Sequence, residues 1–217
     1  MKVMKKLYII LLLSISVLSI FSQKIEFENE SGKHPYIDDK LEKIINEQFL
    51  DTKYNCEFEF RFYTIPSLII NGESVFVMRL KASKWEACFF QKDRKGRWFA
   101  NDLRVDGVAE LWKNLEKHKA LTLPDDSEIE RFKKGFSTDT LMVFSKDAWD
   151  SYKVSKIMDG VGYQFELKQG AYKKRVYSYH CPKAYLKIYP NIEELYNAYS
   201  IILHIQKFLG LSLSGVC

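Results

Sequence analysis

Residues 158–209 read MDGVGYQFELKQGAYKKRVYSYHCPKAYLKIYPNIEELYNAYSIILHIQKFL, and this stretch decides the fold. Asp159-Gly160 lies between the segments 152–158 and 161–167, and two residues that tolerate positive φ between alternating segments predict a hairpin. Tyr163, Phe165 and Leu167 share one face of the second segment, opposite Gln164 and Glu166. Gln169-Gly170 turns the chain into 173–179, where Val176, Ser178 and His180 alternate with Tyr177 and Tyr179, so both faces are partly covered. Pro182 ends that strand and opens an aromatic-rich connection. The run 192–209 is a long apolar helix. Asn191 is its expected N-cap, with Glu194 three positions on, and Gly210 is its stop. Its apolar residues occupy nearly the whole circumference, so its second side needs a cover from this chain or from a partner.

Outward from that unit the same logic repeats. The segment 38–50 carries Leu41, Ile44, Ile45 and Phe49 on one helical stripe. In 56–63, Phe58, Phe60 and Phe62 alternate with Glu57, Glu59 and Arg61, which predicts a strand with one wet face. Strands follow at 67–70, 75–80, 85–91 and 97–100, joined by Asn71-Gly72 and by the turn 93–96. The segment 105–119 is a second amphipathic helix, with Val108, Leu111, Trp112 and Leu115 in register, and Pro124 closes the stretch after it. Residues 125–134 read as a short helix or loop, and 140–144 as a strand. Strands joined by short turns make an antiparallel sheet. The fold class is therefore α+β, an antiparallel sheet built from hairpins with about three helices packed on it. Two strand blocks each ending in a helix, 38–120 and 138–210, suggest two halves of a single domain spanning 23–217.

The N-terminal residues hold Lys2, Lys5 and Lys6, an apolar run over 7–13 and small residues before Gln23, the pattern of a signal peptide over 1–22. The apolar segment 7–21 is short of the roughly 18 residues a spanning helix needs. No stable membrane span is expected after cleavage. Removing 1–22 takes away three lysines and no acids, so the formal net charge falls from +5 to +2. The basic pI then belongs largely to the leader and offers no argument for nucleic acid. The expected location is the periplasm or the exterior. There the sequon Asn29-Glu30-Ser31 matters only if the pathway glycosylates, and Cys56, Cys88, Cys181 and Cys217 have three pairings open to them. Cys181 with Cys217 is the preferred bridge, against the equal alternative that all four are thiols.

Chemistry is harder to find. There is no Gly-x-Ser-x-Gly elbow and no glycine-rich phosphate loop. His180 and Cys181 are adjacent, so on a strand they face opposite ways and are badly placed to share a proton. His34, His118, His180 and His204 are isolated in sequence, without metal-ligand spacing. The Lys173-Lys174-Arg175 run beside Tyr172 and Tyr177 is explained by a guarded edge strand better than by nucleic acid. No catalytic, cofactor-binding or metal residue is assigned, and no cofactor is implied.

Three patterns carry a resemblance. They are Phe21-Ser22 before Gln23, Leu111-Trp112-Lys113-Asn114-Leu115 followed by Leu123-Pro124-Asp125, and Asp159-Gly160-x-x-Tyr163 followed by Tyr177-Ser178-Tyr179-His180-x-Pro182. The chain resembles uncharacterised exported proteins of Bacteroidota-type bacteria. The resemblance covers less than half of the mature chain and brings no catalytic residue. The expected function is a non-enzymatic exported module that binds a protein or small ligand through its sheet face or aromatic connections. The alternative is a cell-envelope hydrolase whose site is assembled from distant carboxylates or His180. A structural protein that assembles through the long helix is the third reading.

Overall fold

A computed structural model describes residues 25–29, 39–50, 56–66, 73–129, 160–170 and 173–211. In chain order the elements are α1 (Asp39–Gln48), β1 (Phe58–Pro66), β2 (Ser74–Lys81), β3 (Lys84–Lys92), β4 (Trp98–Ala100) and α2 (Val108–Lys117). A 3₁₀ turn (Asp126–Glu128), β5 (Val161–Gln169), β6 (Lys173–His180), α3 (Pro182–Ile188) and α4 (Glu193–Leu209) follow. The six strands form one antiparallel sheet in the order β4-β3-β2-β1-β5-β6. The fold is α+β, as the strand alternation predicts. β1 pairs with β2 on one side and β5 on the other, with Phe62 opposite both Phe76 and Phe165, so the two strand blocks share a single sheet.

The aromatic alternation produces the main core. Phe58, Phe60 and Phe62 of β1, Phe76 and Met78 of β2, and Tyr163, Phe165 and Leu167 of β5 all point to one face. α2 and α4 lie on it. Trp112 of α2 stacks at 5.3 Å on Trp85 and packs 4.8 Å from Phe58. α4 buries Leu195, Ala198, Ile201, Ile202 and Ile205. Its second side is met by the chain's own first half and by α3. His118 reaches Asn197, Lys119 pairs with Glu193, and Arg104 donates to the Phe208 carbonyl. α3 packs alongside. Tyr196 alone among the large apolar side chains of α4 stands well exposed, at 56%.

Three expectations need correction. The face of β1 carrying Glu59 and Arg61 is not wet. α1 crosses it through Leu41, Ile45 and Phe49, leaving Glu59 and Arg61 only 0% and 1% exposed. α2 is shorter than 105–119 and does not wait for Pro124. It starts after Gly107 (φ 74°) and ends at Lys117, closed by the left-handed Lys119 (φ 60°), where Ala120 N bonds Leu115 O and Lys119 N bonds Glu116 O. That is a Schellman ending with lysine in the position glycine usually takes. Asn191 does not cap α4. α3 occupies much of the aromatic connection, with Pro182 at its start, where a missing N–H costs nothing. A turn from Tyr189 O to Ile192 N then moves the helix entry to Ile192, whose side chain makes no cap bond. Gly210 does terminate the helix, at φ 68°.

The strands expected at 67–70, 140–144 and 152–158, the Asn71-Gly72 turn and residues 1–22 lie outside the described residues. No helix among the described residues is long and apolar enough to cross a membrane. Cys56 and Cys88 are buried thiols.

Candidate functional site

The second face of the sheet is divided in two. Toward β2–β4 it is apolar and carries α1 on Tyr63, Val75, Val77, Cys88, Phe90 and Trp98. Under the α1 N-terminal half it is ionic. Glu59 accepts from Arg61 Nε at 2.5 Å and from Arg79 Nε, its cross-strand neighbour. Arg61 also donates from Nη2 to Glu42 Oε2 of α1 at 3.0 Å. Tyr63 donates its hydroxyl to Glu166 at 2.9 Å, and the other Glu166 oxygen lies 3.0 Å from Lys174 and 3.4 Å from Lys168. Burial pushes the Glu59 carboxyl up, but Arg61, Arg79 and Lys168 together outweigh it and hold it at about 2. A carboxylate held so low is a poor base, and both of its oxygens are engaged. The cluster fixes α1 to the sheet. It is not a reaction centre.

The candidate site is at the other end of the same face. A cleft of about 200 Å³ opens where β1 ends and β5 begins, lined by Ile65, Gly162, Gln164, Ser178 and His180, with Asp126 at the rim and Tyr163 and Tyr179 beside it. Cross-strand register explains the hollow. Ile65 and His180 stand opposite Gly162 on either side, so the strand between them contributes no side chain. A β-carbon there would meet only ordinary contacts, the nearest being Ile65 O at 3.6 Å. The glycine is therefore not demanded by packing. Gln164, one step along the same face, has its Nε2 buried without a hydrogen-bond partner among the described residues. A buried amide donor left unmade costs about 1–3 kcal/mol, so it stands ready for an acceptor.

The rim is built from the segment after α2. Tyr177 and Tyr179 donate their hydroxyls to Ala120 O and Pro124 O, each at 2.7 Å, and Arg175 Nη2 donates to Leu123 O at 2.8 Å. This hangs 120–128 along β6, the sheet edge. Asp125 then accepts from Ser178 N at 2.9 Å and Asp126 from His180 N at 3.0 Å, so two outward backbone donors of the edge are occupied by carboxylates. The two acids diverge. Burial raises Asp125, but bonds from Ser127 and Ser178 outweigh it and the carboxyl is lowered. Asp126, with fewer donors, is raised by burial and by the charge of Asp125.

Of the residues singled out from sequence, His180 reaches the cleft. Cys181 follows it, buried and in a left-handed conformation (φ 41°), its amide bonded to Val161 O. Ser178 Oγ donates to Asp125 at 2.9 Å rather than to an imidazole, so Ser178 is not activated as a nucleophile. The basic run is dispersed. Lys173 rests over the Phe27 ring, Lys174 pairs with Glu166, and Arg175 is buried. His118 and His204, isolated in sequence, come together on α2 and α4, while His34 lies outside the described residues. Gln164 and Gly162 carried no signal, because a glutamine and a glycine on the polar side of an alternating strand read as solvent-facing. Among the described residues no group of three or more His, Cys, Asp or Glu side chains converges on a metal position.

No protein family, curated protein or solved structure matches this chain.

Proposed function

We propose that the chain is an exported, non-enzymatic α+β domain that binds a small ligand in the cleft between Ile65 and His180. The observation that carries this reading is the buried Gln164 Nε2, without a hydrogen-bond partner among the described residues, beside a floor left open by Gly162. A cleft of about 200 Å³ is smaller than the roughly 300–1,000 Å³ typical of drug-sized sites. The ligand is then a small molecule offering a carbonyl or carboxylate oxygen to Gln164. The sheet faces themselves are covered by helices where the core lies, so a broad sheet-face interface is not part of the proposal. Export rests on the leader-like 1–22 and on the resemblance described above. N-terminal sequencing of the exported protein, expected to begin at Gln23, tests it.

The test of binding uses Gly162→Val. Screening small carboxylates and amides by ligand-observed NMR is expected to yield binders whose signal disappears in Gly162→Val and weakens in Gln164→Leu, with both variants still folded. Binders unaffected by Gly162→Val would place the site elsewhere. The hydrolase alternative is favoured by one observation, a carboxyl raised by burial next to His180. His180→Ala and Asp126→Asn must then abolish a screened hydrolytic activity, and activity surviving in both removes that reading.

A further inference from the structure

His118 caps the C-terminus of α2 and His204 lies in α4, and the fold sets their rings 5.3 Å apart at an angle of 34°. Neither is in the cleft. The first ring is held by a directed chain of bonds. Buried Asn197 points its amide nitrogen at Glu193 Oε1, 3.4 Å away, and its oxygen at His118 Nδ1, 3.2 Å away. Glu193 is itself fixed by Lys119 at 2.6 Å. An amide whose nitrogen faces a carboxylate has its oxygen toward the imidazole, so Nδ1 is the donor and, in the neutral ring, Nε2 is the nitrogen with the open lone pair. Metal-ligating histidines are commonly oriented in this way, through the nitrogen that does not bind the ion. His204 makes no hydrogen bond with the described residues. Two imidazoles on one tetrahedral ion, with nitrogens about 2.0–2.1 Å from it, have ring centres about 5 Å apart. The pair already has that spacing.

We propose that His118 and His204 form a two-imidazole site for a borderline divalent transition-metal ion such as zinc, with the remaining coordination positions open to water or an external donor. Imidazole suits zinc, copper and nickel, whereas calcium and magnesium prefer oxygen. Glu193 reaches the pair through Asn197 and is paired with Lys119, while Lys117 and Lys207 add positive charge beside His204. Affinity is accordingly modest and increases with ionic strength as those lysines are screened.

The experiment titrates cobalt(II) into the untagged full chain, reads its d–d absorption and competes it with zinc. One ion per chain is expected. His118→Ala and His204→Ala each weaken binding at least tenfold. Asn197→Leu, a positioning change, weakens it about 10–100-fold. His180→Ala leaves it unchanged, and so does Gly162→Val, which keeps this test separate from that of the cleft. Binding that persists in the His118→Ala/His204→Ala double variant overturns the proposal, as does a lack of binding by the unaltered chain at millimolar metal. Should the variants fail to fold, imidazole nitrogen NMR of the unaltered chain decides. Zinc must shift His118 Nε2 and a His204 ring nitrogen, and shifts confined to other histidines overturn the site.

Discussion

Replacing Glu59 by glutamine keeps the shape of the side chain and removes the one charge that Arg61 and Arg79 share. Glu59 is 0% exposed and both guanidiniums are 1% exposed, so no solvent screens the loss. Breaking a buried pair of this kind costs about 3–5 kcal/mol. The pH dependence gives an independent measure. The folded-state value of about 2 lies below the ordinary 4.5, so the folded protein binds fewer protons than the unfolded chain between these limits. The stabilisation is fully present above the unfolded value and is lost as the pH falls toward 2. At about 1.36 kcal/mol per pKa unit this gap is worth about 3 kcal/mol, in agreement with the pair-breaking figure. Urea unfolding at intervals from pH 3 to 6 measures it. Stability of the unaltered protein should fall with acidity, and Glu59→Gln should lower the plateau and reduce the slope by about one proton near pH 3. An unchanged slope in Glu59→Gln would refute the reasoning, because it would mean that Glu59 titrates alike in both states.

Gly160→Ala should destabilise by more than 2 kcal/mol in urea unfolding, since a β-carbon there would stand 2.1 Å from Cys181 Sγ and overpack a buried sulfur. Tyr177→Phe should cost about 1 kcal/mol by orphaning the buried Ala120 carbonyl, and thermal melts read the loss. Asp126→Asn should raise stability at pH 7. Its carboxyl is raised in the folded state, so the stability linked to it is present below the unfolded pKa and lost as pH rises through the folded one, and the amide avoids that loss. We further propose that Cys181 pairs with Cys217. Cys56 and Cys88 are buried thiols, which leaves Cys181 as the described cysteine open to a bridge. Thiol counting on the denatured, unreduced protein should give two, and a count of four would exclude the bridge.

The sheet was legible because period-2 alternation is a local property. Phe58, Phe60 and Phe62 announce a strand whatever lies beyond it, and Tyr163, Phe165 and Leu167 announce its partner. The helix ends were legible only where the residue matched the conformation. Gly210 was readable as a stop, whereas Lys119 adopts the same left-handed geometry with no glycine to mark it. Of the cleft, His180 was legible and the rest was not. Gly162 and Gln164 acquire meaning only when register places them between Ile65 and His180, and register is a long-range fact.

The misreading of Glu59 and Arg61 follows from the same limit. Alternating charge on a strand implies water only if nothing amphipathic is available to cover it, and α1 is available. Its apolar stripe is satisfied by Tyr63, Val75 and Val77, while Glu42 at its start reaches Arg61. The helix thus needs both halves of that face, one for burial and one for charge. It leaves uncovered the part where β5 and β6 present Gly162, Gln164, Ser178 and His180, residues that offer it neither an apolar surface nor a counter-ion. Extending the apolar patch by Ser178→Val together with Gln164→Val should therefore narrow the cleft and take away its amide donor. It should remove ligand binding as Gly162→Val does, without touching the ionic cluster that holds α1 in place.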